Sequence, residues 1–244
     1  MGIHRGTAEP SIWLWSRLEI LDIFGSAHVF PIVAEVYLKG RCKDIEKIPD
    51  CIKALHGLTE LHIYGCPKIV SLPELPVSLT RLIVDTCESL ETLTPFSSDS
   101  PIEVLYFSNC FKLGHEARRV ITKKPRDAWL PGRNVPAEEF DHRAIGNCLT
   151  IPFDTYECRI CVVVSPKQRM VGYVDLLCRK TKNGLSTGEQ RLQTLPKVQS
   201  EHLYIGHYSF SDKLDSGVVL EFRTSSKDVD VVECGIKIFD RTNQ

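Results

Sequence analysis

This 244-residue chain contains ten cysteines, and metal binding is therefore the first chemistry to consider. Cys158 and Cys161 form the only C-x-x-C pair, and no second pair completes a four-ligand site. The apolar residues around this pair predict a strand, in which residues three apart point to opposite faces. His202 and His207, five apart in another strand-like segment, fail by the same parity. We therefore expect neither a metal site nor a cofactor.

A second candidate is the segment Gly184–Gly188, which matches the G-x-S-x-G nucleophile elbow of hydrolases with Ser186 at its centre. The elbow needs a strand that ends at the serine and a helix that begins there. We expect the preceding strand to end near Cys178, so that five mostly polar residues separate it from the motif, and Pro196 follows the motif closely. We therefore expect a protein that is not an enzyme and keep a serine hydrolase using Ser186 as the enzymatic alternative.

A run of basic residues near the middle of the chain could serve nuclear import or bind nucleic acid. No aromatic residues are interleaved with it, so a surface for stacking bases is not indicated. We interpret it as the solvated face of a short helix and its linker, and we expect no nucleic acid partner. The run is Arg118, Arg119, Lys123, Lys124 and Arg126.

Composition places the chain among ordinary globular proteins, with 43% hydrophobic residues, 25% charged residues and a net charge of -1. No stretch approaches the roughly 20 apolar residues that cross a bilayer. Residues 1–11 contain no apolar run of a secretory signal. We expect an intracellular, cytoplasmic protein, with the nucleus as an alternative, no membrane contact and cysteines in the thiol state.

Three segments share one spacing of apolar residues that ends in a cysteine, and their first residues are 21 and 23 positions apart. This spacing is the leucine-rich-repeat pattern L-x-x-L-x-L-x-x-N/C. An older copy, Leu18, Leu21, Ile23 and Ser26, has lost the cysteine. The three full copies are Leu58, Leu61, Ile63 and Cys66; Leu79, Leu82, Val84 and Cys87; and Ile102, Leu105, Phe107 and Cys110.

Within each copy, the residues that alternate with the apolar ones should face outward on the concave side of the repeats. A line of exposed aromatic and apolar side chains there favours contact with a partner, although a solvated strand face is the alternative. Cys66, Cys87 and Cys110 should point inward and play a structural part. The predicted partner-binding residues are Glu60, His62, Tyr64, Arg81, Ile83, Asp85 and Tyr106.

After the repeats, the pattern predicts a short helix over 115–122 and then an antiparallel β-sandwich. Residues 160–164 are apolar on both faces, as in a central strand. Gly235 within the last strand indicates a bulge. The remaining predicted strands cover 149–153, 171–177, 203–210, 218–222 and 229–239.

One block of the second half resembles a known family. Leu130-Pro-Gly-Arg-Asn-Val-Pro136, Phe140, His142-Arg-Ala144 and Leu149-Thr-Ile-Pro152 are similar to the post-repeat domain of plant TIR-type nucleotide-binding leucine-rich-repeat immune receptors. Later blocks, among them His202–Ile205 and Glu233–Gly235, follow in the same order. The chain departs from the family pattern at Asn134, Asp141 and Cys148.

The resemblance implies an α/β leucine-rich-repeat solenoid end at 18–126, including a cap, and an all-β antiparallel sandwich of the jelly-roll or immunoglobulin-like type at 127–244. Residues 1–17 stay unassigned. Leu130, Pro131, Gly132, Pro136, His142 and Arg143 would be structural, as packing and pairing groups and not as an acid–base pair.

By this resemblance, the chain would recognise a pathogen effector or a guarded host protein, without the TIR and nucleotide-binding domains. Other receptor domains or a full-length receptor would be further partners. A stand-alone decoy or scaffold is the alternative of another class.

Overall fold

The fold is known from a computed structural model that describes residues 34–38, 45–152, 154–168, 172–197 and 199–239. The described residues are mostly β-strand with one α-helix, and their sheets are open. The molecule divides into two compact units, Met1–Ile102 with Cys110–Val120 and Glu103–Asn109 with Ile121–Gln244. The predicted repeat copy at 18–26 and the unassigned segment 1–17 lie outside the described residues.

In the first unit, short parallel strands pair in the order of the sequence. Three of them form one sheet, and two shorter strands pair separately from it. A single 3-10 turn, Asp50–Ala54, precedes the second strand. The strands are β1 (Ala34–Leu38), β2 (Leu58–Tyr64), β3 (Ser71–Leu72), β4 (Arg81–Asp85) and β5 (Thr92–Leu93).

The repeated apolar positions form the core of this unit. Leu61 lies opposite Leu82 across the β2–β4 pair, and Ile63 lies opposite Val84. All four side chains are completely buried. Because side chains alternate along a strand, the residues between them point to the other face. The identical spacing in the two copies therefore gives two strands whose inward and outward residues stay in register.

A tight turn follows each full copy, and the residue before the cysteine always has a left-handed backbone. The φ angles are 65° at Gly65, 55° at Thr86 and 56° at Asn109. Glycine adopts this conformation without strain and asparagine tolerates it, whereas a β-branched threonine does so at a cost. The shared geometry explains why a cysteine recurs at the next position, where its side chain turns back beneath the strand.

The second unit contains two sheets. Their strands are β6 (Val104–Ser108), β7 (Asp127–Pro131), β8 (His142–Ile145), β9 (Cys148–Thr150), β10 (Thr155–Pro166), β11 (Val174–Lys182), β12 (Leu185–Leu195), β13 (His202–Leu214), β14 (Val219–Thr224) and β15 (Val229–Ile238). The larger sheet has the order β6-β7-β13-β10-β15-β8, in which only the β6–β7 pair is parallel. The smaller sheet is antiparallel and has the order β12-β11-β14-β9.

The two sheets of this unit share one apolar core. Strand β10 supplies Cys158, Ile160, Val162 and Val164 from one face, and they pack in a cluster with residues of both sheets. Cys161 is also completely buried but faces the other side of the strand. The prediction that Cys158 and Cys161 point to opposite faces of one strand is therefore confirmed.

The helix α1, His115–Lys123, confirms the predicted helix over 115–122 and spans the division between the units. Strands β7, β8 and β12 were not predicted from the sequence. The predicted bulge at Gly235 is wrong, because Gly235 pairs in regular register with Cys161, and the register shifts instead between Val163 and Val164.

Candidate functional site

Six of the seven predicted partner-binding residues lie on the outward face of β2 and β4. They form three cross-strand pairs, Glu60 with Arg81, His62 with Ile83, and Tyr64 with Asp85. Neighbouring pairs on one face of a sheet interact directly. The shared register therefore gathers two acids, one arginine, two rings and an aliphatic side chain in one small area, which we call the β2–β4 face.

A chain of polar contacts holds this face in place. His62 bonds through Nδ1 to the Tyr64 hydroxyl at 3.1 Å and through Nε2 to Glu60 Oε2 at 3.3 Å. The other carboxylate oxygen of Glu60 lies 3.5 Å from Arg81 Nε. The imidazole is only 6% exposed, whereas the Arg81 side chain is 45% exposed. His62 thus lies beneath the surface and links Tyr64 to Glu60, whereas Tyr64 is partly exposed and Arg81 is exposed.

Tyr106, the seventh predicted residue, lies in the second unit on β6. Its hydroxyl accepts a hydrogen bond of 2.6 Å from Gln193 Nε2, and its ring packs against the core between the two sheets. The side chain of Tyr106 is therefore already engaged in packing and hydrogen bonding within its own unit.

The predicted structural cysteines are buried beneath the turns. The thiols of Cys66 and Cys87 each donate to the carbonyl oxygen two residues earlier, both at 3.7 Å, and Cys110 donates to Val84 O at 3.9 Å. The neighbouring Cys87 thiol, together with burial, raises the pKa of Cys110. These contacts give the repeated cysteine a role in closing the turn, and not in chemistry.

The block Leu130–Pro136 continues β7 and then crosses the outer face of the larger sheet. Leu130 and Pro131 are buried at the end of β7, and Gly132 N donates to Glu201 O at 3.0 Å. Pro136 O accepts from the amides of Glu139 and Phe140, which closes a turn. We call residues 132–140 the cover segment.

The cover segment is fixed to the sheet by β15. Val135 N donates to Glu233 Oε2 at 2.9 Å, and this carboxylate is 6% exposed. A Cβ atom added at Gly235 would lie 2.6 Å from Val135 Cγ1 and 3.3 Å from Phe140 Cβ. Glycine is therefore required at 235 by the close approach of the cover segment, and Glu233 supplies the acceptor that its backbone needs.

His142 and Arg143 lie on β8 at the edge of the same sheet, opposite Ile236 and Gly235. A Cβ atom added at Gly235 would also lie 3.4 Å from Arg143 Cγ, so the Arg143 side chain packs beside this glycine. Their position beside β15 suits the packing and pairing role expected of them.

Two buried polar networks in the second unit were not found from the sequence. His202 is fully buried, stacks on Trp129 at 5.1 Å, donates from Nδ1 to Ser200 O, and accepts from Asn109 N at Nε2. Tyr204 lies 2.6 Å from both Asp127 and Tyr208, hydroxyl to oxygen. Burial raises the pKa of Tyr204. These groups are satisfied within the fold, so they stabilise it.

The buried thiols of the second unit are also structural. Burial raises the pKa of Cys158, Cys178 and Cys234 to about 12 in each case. Because the thiolate is the nucleophile and the metal ligand, these side chains stay unreactive at neutral pH. Throughout the described ranges, no group of three or more His, Cys, Asp or Glu side chains is placed to hold a metal ion.

Ser186 is not at a nucleophile elbow. Lys182 pairs with Leu185, so Asn183 and Gly184 form a two-residue hairpin turn with φ angles of 51° and 77°. Ser186 is an exposed residue in the strand that follows, opposite Thr181. Strand β11 continues to Lys182, past the expected end near Cys178. The glycine of the motif thus serves the turn.

Among the described residues, no helix is both long and apolar enough to cross a membrane. Compared with known protein families, the chain matches no family model.

Individual curated proteins do match, over nearly the whole chain. Disease resistance protein RML1B of Arabidopsis thaliana is 38% identical over 255 aligned residues, which cover 95% of this chain and 24% of the relative. The probable disease resistance protein RPP1 of the same plant is 31% identical over 93% of this chain and 20% of its own length. Disease resistance protein RML1A is 40% identical over 70% of this chain and 18% of its own length. The chain thus spans a quarter or less of the curated relatives that it matches.

Proposed function

Because the chain belongs to the plant disease resistance proteins of the TIR-type nucleotide-binding leucine-rich-repeat class, we propose that it is a recognition module that binds a pathogen effector or the host protein an effector modifies. Its relatives support a role in plant immunity. Recognition by this particular segment is our inference. We further propose that the protein acts in the cytoplasm or the nucleus.

We propose further that the first unit is the end of a leucine-rich-repeat solenoid. The parallel strands, the aligned buried leucines and the repeated turn before each cysteine support this interpretation. The two-sheet second unit would then be the jelly-roll or immunoglobulin-like domain that follows such repeats, with 18–126 and 127–244 as the domain limits.

The observation that carries the proposal is the organised polar chain on the β2–β4 face. Tyr64, His62, Glu60 and Arg81 are linked in one line, with bond lengths between 3.1 and 3.5 Å. Tyr64 and Arg81 stand at the two ends of this line, and tyrosine and arginine are residue types enriched in binding hot spots. Because the line already holds both side chains, little conformational entropy is lost when they meet a partner. Ile83 and Asp85 extend the same face with an apolar and an acidic contact.

The test is the capture of candidate effectors by the purified chain, measured by isothermal titration calorimetry. Arg81→Glu should weaken binding by roughly 30-fold or more, since a hot-spot residue contributes at least about 2 kcal/mol. Arg119→Glu is the matched control, because Arg119 is an exposed arginine of the first unit on α1. Equal binding by the wild type and both variants would contradict the assignment of the β2–β4 face.

A decoy would bind the effector in the same way and differ only in cells. Co-expression of this chain with a full-length receptor separates the two roles. A decoy should reduce effector-triggered cell death, whereas a module that acts only as part of a receptor should leave it unchanged.

A further inference from the structure

The second unit contains an open cleft of about 570 Å³ whose lining is strongly basic. Five lysine and arginine side chains line it, against a single carboxylate. The chain as a whole has a net charge of only -1, so this concentration of positive charge is local. The lining residues are Lys123, Lys124, Pro125, Arg126, Glu139, Arg159, His207, Lys237 and Phe239.

The floor of the cleft is one row across three neighbouring strands. Arg159 on β10 lies opposite His207 on β13 and opposite Lys237 on β15. Arg159 and Lys237 are therefore two like charges side by side, and like charges placed directly across a sheet destabilise it. An anion bound over this row would relieve their repulsion.

The basic segment after α1 is held against this row by backbone contacts. The Arg159 guanidinium donates to Lys123 O at 3.3 Å and to Pro125 O at 3.1 Å. His207 N donates to Arg126 O at 3.0 Å. These bonds fix the chain direction, so Lys123, Lys124 and Arg126 of the basic run become part of a built cleft.

Two polar nitrogens in the lining have no protein partner. Arg159 Nε and His207 Nε2 are buried atoms without a hydrogen bond, and Arg159 is only 9% exposed. A buried polar atom without a partner destabilises the fold, so a bound ligand that supplies the partner is favoured. Among the described residues that line the cleft, Glu139 is the one carboxylate, and it is already paired with Lys123 at 3.1 Å. The cleft therefore offers positive charge and hydrogen-bond donors in excess of what the protein itself satisfies.

We propose that this cleft binds a small soluble anion carrying two or more phosphate groups. Several separated cations match several phosphates better than one, and guanidinium groups recognise phosphate oxygens with directed hydrogen bonds. Nucleic acid is a poorer match, because the only aromatic ring of the lining, Phe239, packs edge-on against His207 at 5.0 Å. This site is separate from the β2–β4 face, and the proposal does not depend on the proposed function.

The experiment is calorimetric titration of the full 244-residue chain with orthophosphate, pyrophosphate and tripolyphosphate. We expect one site, with affinity that rises along this series and falls between low salt and about 0.15 M salt. The double variant Arg126→Gln/Lys237→Gln should bind pyrophosphate about tenfold more weakly. The matched control Arg191→Gln/Lys227→Gln removes the same charge from exposed residues outside the cleft and should stay within about twofold of the wild type.

Three outcomes would overturn the proposal. One is the absence of binding by any of the three anions at low salt while the chain is folded. Another is an equal loss in both double variants, which would indicate general charge attraction. The third is binding only to single-stranded RNA or only to anionic vesicles, measured in parallel. A thermal unfolding curve for each variant ensures that a loss of binding is not a loss of fold.

Discussion

The substitution Gly235→Ala tests how the cover segment is held on the larger sheet. The added methyl group would lie 2.6 Å from Val135 Cγ1, 3.3 Å from Phe140 Cβ and 3.4 Å from Arg143 Cγ. Ordinary carbon–carbon contacts are about 3.5–4.0 Å, so Val135 must move by about 1 Å. Its backbone cannot move freely, because Val135 N is bonded to the buried Glu233 carboxylate.

The expected cost follows from this geometry. Inserting a methyl group into a packed site costs about 1–3 kcal/mol, and we expect a value of about 2 kcal/mol because two of the three neighbours have to shift. At about 3 °C per kcal/mol for a chain of this size, Tm should fall by about 6 °C. The measurement is thermal unfolding followed by circular dichroism, with the free energy of unfolding from urea titration.

The double variant Gly235→Ala/Val135→Ala is the control for the mechanism. Removing the two γ-carbons of Val135 makes room for the new methyl group, so the double variant should be more stable than the sum of the single effects by at least about 1 kcal/mol. A Gly235→Ala protein as stable as the wild type would refute the argument. Strict additivity would show that the cost arises elsewhere than at Val135.

Three further predictions concern the strained turn, the thiols and the hydrolase motif. Thr86→Gly should stabilise the chain by about 1 kcal/mol in urea unfolding, since it relieves a left-handed threonine with φ of 55°; a loss of stability would contradict the strain. In native protein at pH 8, alkylation mapped by mass spectrometry should modify the exposed Cys51 and Cys148. It should not modify Cys158, because burial raises the pKa of this thiol to about 12. Labelling of Cys158 before unfolding would be the contrary result. Ser186→Ala should leave any esterase background of the purified chain unchanged, because Ser186 is in an extended strand; a drop in activity would restore the hydrolase alternative.

Elements governed by burial were predictable from the sequence. Strand β10 is apolar on both faces, and its two faces are indeed buried by different partners. The repeated spacing placed Leu61, Leu82 and their neighbours in one core because strand periodicity alone determines which side they face. The outward position of Tyr64 and Arg81 follows from the same periodicity.

Elements that depend on distant partners were not predictable. Strand β12 contains mostly polar, exposed residues, so no alternation marks it, and its pairing with β11 is what makes it a strand. Gly235 is required by Val135 and Phe140, which lie about a hundred positions earlier in the chain. A glycine in a strand indicates either a bulge or a close approach, and only the position of the cover segment decides between them.

The basic cleft shows the same limit for a candidate site. The run that ends at Arg126 was visible in the sequence, but its partners Arg159, His207 and Lys237 are on three separate strands. Only the register of β13, β10 and β15 brings them into one row. This site could be found only from the pairing of these strands, because the composition of the basic run does not reveal its partners.

An experimentally determined structure of the chain bound to an effector that it captures is the most direct test of the central claim. We expect Tyr64, Arg81 and Ile83 to lose solvent exposure in the interface while His62 keeps its bonds to Tyr64 and Glu60. An interface that leaves the β2–β4 face fully solvated would contradict it.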